Sequence, residues 1–301
     1  MGATDAETQT AADLFPDSLT AGEVEKELAF TKPIKTPVWS HQKARLIELY
    51  LYYFVQVTKH GAYIDGFAGP QSPDHDETWS AKRVLERRPR RLQKFFLCEL
   101  DPTKVASLEA LCESQPPKEA KEPKRTCVVL PGDFNQLVDG ILENGRIRQK
   151  EATFALLDQR TFECHWATVR KLAGYKQTGL NKIELFYFFA VKWLHRAMHE
   201  RIVNEDRIDA WWGSSDWTKL RSTKQWNATE IMTQRFREEL GYRWAMPYPI
   251  FQKEDGEGAV MYYMIHATDH PVAPGLMHRA YRFAVTPEGP PPEQGKLFAP
   301  A

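Results

Sequence analysis

Cysteine is scarce in this chain of 301 residues: Cys98, Cys112, Cys127 and Cys164 are scattered, and none forms a CxxC pair. That spacing argues against a zinc site or a disulfide framework, so all four are expected as reduced thiols in a cytoplasmic protein. No apolar run approaches the roughly 18 residues that a membrane span requires. The N-terminus is acidic and polar, so neither a membrane span nor a signal peptide is expected. An excess of one charge is lacking too. Forty Lys and Arg balance forty Asp and Glu, leaving no overall field to gather nucleic acid or anionic lipid, so any basic contact surface must be local. The phosphate-cradling pattern GxxxxGK followed by Ser or Thr does not occur, and the absence of GxGxxG counts against a dinucleotide.

The composition that is present, 42% hydrophobic and 27% charged, suits one large α/β domain or two small ones. Residues 1–38 mix Ala, Thr, Asp, Glu and Pro without sustained periodicity and are expected to form a flexible arm. A proline-rich tail, 287–301, is expected to be disordered or to fold only against something else. Between them, residues 39–286 alternate between two patterns. Helical spacing marks 41–59, 78–88, 102–114 and 166–174. Short apolar runs mark strands at 62–67, 94–100, 126–133, 153–158 and 183–189. Strands alternating with helices, several apolar throughout, predict a mostly parallel sheet covered on both faces. At the end, 248–254 and 259–270 flank an Asp-Gly turn and predict an antiparallel hairpin. The Trp-rich stretch 204–247 interrupts the pattern as an insertion.

Four of these strands end at an acid: Asp65, Glu99, Asp133 and Asp158. Ligands of open α/β sheets bind outside the carboxyl ends of the strands, where strand order reverses. Acids there can accept hydrogen bonds from ribose hydroxyls or an amino group. The alternative reading is that carboxylates cap the helices that follow. Gly66 and Gly69, in YIDGFAGP, would let a backbone lie against a ligand without a Cβ in the way. A nucleoside ligand without a pyrophosphate, S-adenosylmethionine, fits these features best.

The segments WSHQKARLIELYLYYF, YIDGFAGP, FFLCELDP, VVLPGDFN, ALLDQRTFECHW and YYMIHATDHPVA, from about Trp39 to Tyr281, resemble the three-Cys-motif partner protein family. That family in turn resembles class I S-adenosylmethionine-dependent methyltransferases. The resemblance implies a Rossmann-like sheet of order 3-2-1-4-5-7-6, its last strand antiparallel. It also implies a cofactor loop of Asp65, Gly66, Phe67, Ala68 and Gly69. Glu99, followed by Leu100, would take the ribose hydroxyls, and Asp133 with Phe134 would face the adenine. Asp158 and Gln159 would form the catalytic lip nearest the methyl group. Possible partners are a nucleic-acid substrate and a three-Cys-motif protein, for which the chain could instead be a non-catalytic or cofactor-sensing subunit. Two departures stand out. Gln71 follows Pro70 where many relatives continue with Gly, and Asp158-Gln159-Arg160 stands where many carry Asp-Pro.

Other features have two readings each. The acidic stretch Asp74–Glu77 reads as a solvated loop in preference to a metal site, since consecutive residues rarely converge on one ion. The basic run 82–94 could grip phosphates or end a solvated helix. Phe162 and Trp166 could flank a flat substrate or belong to the core. The tryptophans of 210–226 could stack bases or pack the insertion on the sheet, and packing is expected for most. His195 reads as a surface or packing residue.

Overall fold

The structure is a computed structural model that describes residues 14–28, 38–71, 75–143, 145–200, 204–222, 224–251 and 260–285. Seven strands form the sheet: β1 (Gly61–Asp65), β2 (Leu92–Glu99), β3 (Thr126–Pro131), β4 (Thr153–Leu157), β5 (Glu184–Phe189), β6 (Trp244–Phe251) and β7 (Val260–Thr268). Their order is 3-2-1-4-5-7-6. The first five are parallel, and β7 runs antiparallel to both β5 and β6. A two-residue strand, Val38–Trp39, adds an eighth member beside β6. The sheet thus has the order that the resemblance implies, with one short extra edge.

Residue alternation along the strands sends successive side chains to opposite faces, and helices bury both. On one face Tyr63, Leu97, Phe154 and Phe186 pack against α1 (Ala21–Glu27), α2 (Lys43–Thr58), α3 (Ser80–Glu86), α4 (Pro102–Glu113) and α10 (Ala273–Phe283). On the other, Ile64, Cys98, Leu185 and Tyr187 meet α5 (Phe134–Leu142), α6 (Trp166–Gly174), α7 (Val191–Glu200), α8 (Glu205–Trp212) and α9 (Gln225–Glu238).

The structure departs from expectation in three places. β6 starts at Trp244 instead of Tyr248, because Pro247, which cannot donate to a ladder, disguises its first half. The expected Asp-Gly turn of the hairpin lies outside the described residues. Residues 14–28 pack onto the body instead of trailing from it. Phe15 and Val24 are buried, and Thr20 and Glu23 close a capping box on α1. A Cβ on Gly275 of α10 would lie 2.0 Å from the Leu19 carbonyl oxygen, so the segment rests directly on that glycine. Finally, Cys112 and Cys127 are joined as a disulfide, which corrects the expectation of four reduced thiols. The loop after α4 returns the chain beside that helix's last turn, with the two Cα atoms 6.1 Å apart; the linear spacing carries no sign of this. Cys98 and Cys164 are free and buried.

Candidate functional site

The chain leaves β1 through Asp65, whose partners across the sheet are Leu97 of β2 and Leu156 of β4. Beyond β1 the connections run to opposite sides, which places Asp65 at the reversal of strand order. Its side chain is only 1% exposed as a residue. Oδ2 accepts from the Tyr63 hydroxyl at 2.8 Å and Oδ1 from the Phe67 amide at 3.1 Å. Burial pushes this carboxyl up to about 7; the two hydrogen bonds oppose the shift, and the charges of Asp158 and Glu99 add to it. The loop that follows needs its glycines. A Cβ on Gly66 would come within 2.8 Å of the Phe134 ring, and one on Gly69 within 2.2 Å of Glu99 Oε2. The turn is pinned by the Trp79 indole, which donates to the Ala68 carbonyl at 2.6 Å.

Glu99, the last residue of β2, accepts from three amides: Gly69 on Oε2 at 2.9 Å, and Leu100 and Asp101 on Oε1 at 2.9 and 3.0 Å. Those bonds fix the carboxylate toward the mouth of the sheet and leave about one lone pair, on Oε2, for a ligand. Leu100 is 71% exposed, an unusual position for a large apolar side chain beside a cavity. Asp133 caps α5, accepting from the Asn135 amide at 2.9 Å, so here the capping reading holds. Phe134 is buried against the first loop.

Asp65, Gly66, Phe67, Ala68, Gly69, Glu99, Leu100, Asp133, Phe134 and Asp158 all line one open cavity of about 670 Å³. The acids of four strand ends therefore meet in one place, and hydrophobic packing does not plug it. Gln159 stands apart from this lining. It is 1% exposed, its Nε2 donates to the Phe188 carbonyl, and its Oε1 accepts from the Glu163 and Cys164 amides. Its amide holds the loop after β4 together.

Two important side chains are missed by reading the sequence. Lys43 opens α2 and is buried; its Nζ lies 2.5 Å from Asp158 Oδ2. Burial works against its charge, but Asp158, Tyr262 and Asp65 outweigh that cost and hold the ammonium above the usual lysine range. Asn135 ties two loops of the cavity. Its Nδ2 donates to Asp133 and to the Glu163 carbonyl, and its Oδ1 accepts from the His165 amide and the Thr168 hydroxyl, each at 2.8 Å. Only its place in the GDFN motif hints at it, because every partner except Asp133 is distant in sequence.

Of the remaining candidates, Phe162 is buried yet reaches the cavity wall, and Trp166 is core. The basic run is largely consumed locally: Arg83 and Arg87 bind Glu48, Arg88 binds Glu119, and Arg91 donates to Gln56. Of the acidic loop, Asp74 lies outside the described residues, His75 meets Glu77, and Asp76 pairs with Lys82. Among the described residues no cluster of three His, Cys, Asp or Glu side chains could hold a metal, and no helix is long and apolar enough to cross a membrane. Trp211, Trp212 and Trp217 are buried. The His195 side chain lies outside what is described.

No protein-family model matches the chain, and no curated protein matches it. Among solved structures it is similar to the small RNA methyltransferase HEN1, at 13% identity and a TM-score of 0.45, over 75% of this chain and 25% of that one. It is also similar to the DszA carbon methyltransferase, at 16% identity and a TM-score of 0.37, over 86% of this chain and 60% of that one. A protein of Legionella pneumophila, LPL1258, aligns at 10% identity and a TM-score of 0.40, over 82% of this chain and 94% of its own length. The chain thus spans a quarter of the HEN1 chain it matches.

Proposed function

We propose that the chain is an S-adenosylmethionine-dependent methyltransferase whose cofactor occupies the cavity at the ends of β1, β2 and β3. The observation that carries this reading is the convergence of Asp65, Glu99 and Asp133 on a glycine loop with no room for a Cβ at Gly66 or Gly69. A cavity of about 670 Å³ lies within the range of small-molecule sites. Glu99 would receive the ribose hydroxyls, Leu100 would cover one face of the adenine, and Phe134 with Asp133 would border the ring. The cofactor would supply an electrophilic methyl group on a sulfonium sulfur. The protein's part is mainly positioning: Asp158 offers an acceptor for the nucleophile's hydrogen, and Gln159 braces the loop that carries it.

The acceptor in this reading is a nucleic acid or a modified base. Lys104, Arg160 and Arg207 border the cavity, and Trp193 on α7 is 44% exposed with the Arg196 guanidinium 4.9 Å from its ring centre. A second reading, suggested by the burial of Gln159 and its three hydrogen bonds within the loop and to β5, makes the chain a non-catalytic or cofactor-sensing subunit of a three-Cys-motif protein.

Titration calorimetry with S-adenosylmethionine and S-adenosylhomocysteine tests cofactor binding. Binding is expected, and Glu99→Ala should weaken it by roughly 10- to 100-fold, the worth of hydrogen bonds to a charged group. Absence of binding to the unaltered protein would sink the methyltransferase reading and leave only a non-catalytic subunit. Binding without methyl transfer to tRNA, rRNA or DNA, alone or with the partner, would favour the second.

A further inference from the structure

The ion pair at the lip is not explained by stability. Lys43 and Asp158 have side chains only 5% and 9% exposed, and removing two charges from water costs about as much as their attraction returns. An apolar pair of similar shape would join α2 to the end of β4 equally well. Lys43 also sits at the first residue of α2, where the positive end of the helix dipole disfavours a cation. The structure thus keeps an ammonium where both desolvation and the dipole oppose it. Its nearest charge is Asp158, Asp65 also acts on it, and the Tyr262 ring lies 5.7 Å from Nζ.

We infer that Lys43 is a charge-balancing positioning residue: its ammonium offsets Asp158, so that the lip presents a neutral pair, not a net anion, to a bound sulfonium. The inference rests on the methyltransferase reading above. When the carbon–sulfur bond breaks, its electron pair stays on sulfur while the nucleophile's lone pair forms the new bond to carbon, so positive charge passes from the sulfur to the nucleophile, which then releases its proton to solvent. An uncompensated carboxylate would attract that charge both before and after the transfer and hold the sulfonium by charge alone, tightening binding without speeding the step. Lys43 removes that attraction and holds Asp158 in place for the incoming nucleophile.

The test is the ratio of dissociation constants for S-adenosylmethionine, a cation at sulfur, and S-adenosylhomocysteine, neutral there, measured by calorimetry. Lys43→Met is measured in mildly alkaline buffer, which keeps Asp158 ionised, and Asp158→Asn in mildly acidic buffer, which keeps Lys43 protonated, each against the unaltered protein in the same buffer. Lys43→Met, which leaves Asp158 uncompensated, should shift the ratio toward the sulfonium ligand by about fivefold or more, and Asp158→Asn should shift it the opposite way. The double variant K43M/D158N should return close to the unaltered ratio. Asp158→Asn and the double variant leave no unpaired buried carboxylate, so they carry the test even if Lys43→Met folds poorly. Equal ratios in all the proteins, with both ligands bound, would overturn the inference and leave the cofactor reading standing. Failure of the unaltered protein to bind either ligand would overturn both.

Discussion

Asp65 is enclosed so completely that its proton has little reason to leave. Near pH 3.8 an aspartate surrounded by water ionises, whereas burial raises this one to about 7. Between those values the folded protein holds a proton that the unfolded chain has released, so stability falls as pH rises through this window and levels off above it. Asp65→Asn removes that dependence. Between about pH 5 and about pH 8 the unaltered protein should lose roughly 2–3 kcal/mol more than the variant in urea unfolding. Parallel curves for the two proteins would show that Asp65 is ionised throughout. At this scale the sequence shows which acids come together: those after apolar runs, Asp65, Glu99 and Asp133, line one cavity. It was silent on Lys43 and Asn135. A lysine in an amphipathic helix looks like a solvent-facing residue until the fold brings Asp158 beside it.

Secondary-structure elements were legible in proportion to how much of their stability is local. The helix expected at 166–174 has those bounds, and the five parallel strands fall within a few residues of the apolar runs that predicted them. β6 was half hidden by its prolines, and α1 was missed because its support comes from another part of the chain. Gly275 marks that support. Gly275→Ala would drive a methyl group into the Leu19 carbonyl, and overpacking of this kind costs about 1–3 kcal/mol. We expect a lower Tm together with faster proteolysis between residues 14 and 28. A faster cut there without loss of Tm would mean that the segment contributes little to the stability of the body.

For the whole molecule, charge neutrality turns attention to where individual cations stand. Arg87 and Arg88 are held by Glu48 and Glu119, while Lys104 and Arg160 border the cavity. If the acceptor is a nucleic acid, Lys104→Glu and Arg160→Glu should each weaken binding of single-stranded RNA and lower its salt slope by about one, whereas Arg88→Gln should change neither. Fluorescence titrations at several salt concentrations read both quantities, and an effect of Arg88→Gln as large as the others would move the contact surface to the basic run. The strand order was legible through the resemblance and not through periodicity alone, since nothing local dictates which strands become neighbours.

The Trp-rich insertion is fastened to the start of α6. Arg235 lies between the Trp166 and Trp212 rings, 4.1 and 4.2 Å from their centres, and also grips Glu239. Gly213 closes against Trp166 so tightly that a Cβ would come within 2.7 Å. Contacts this close leave these parts of the insertion little room to hinge. If a substrate passes over that flank, the surface it meets is set before it arrives.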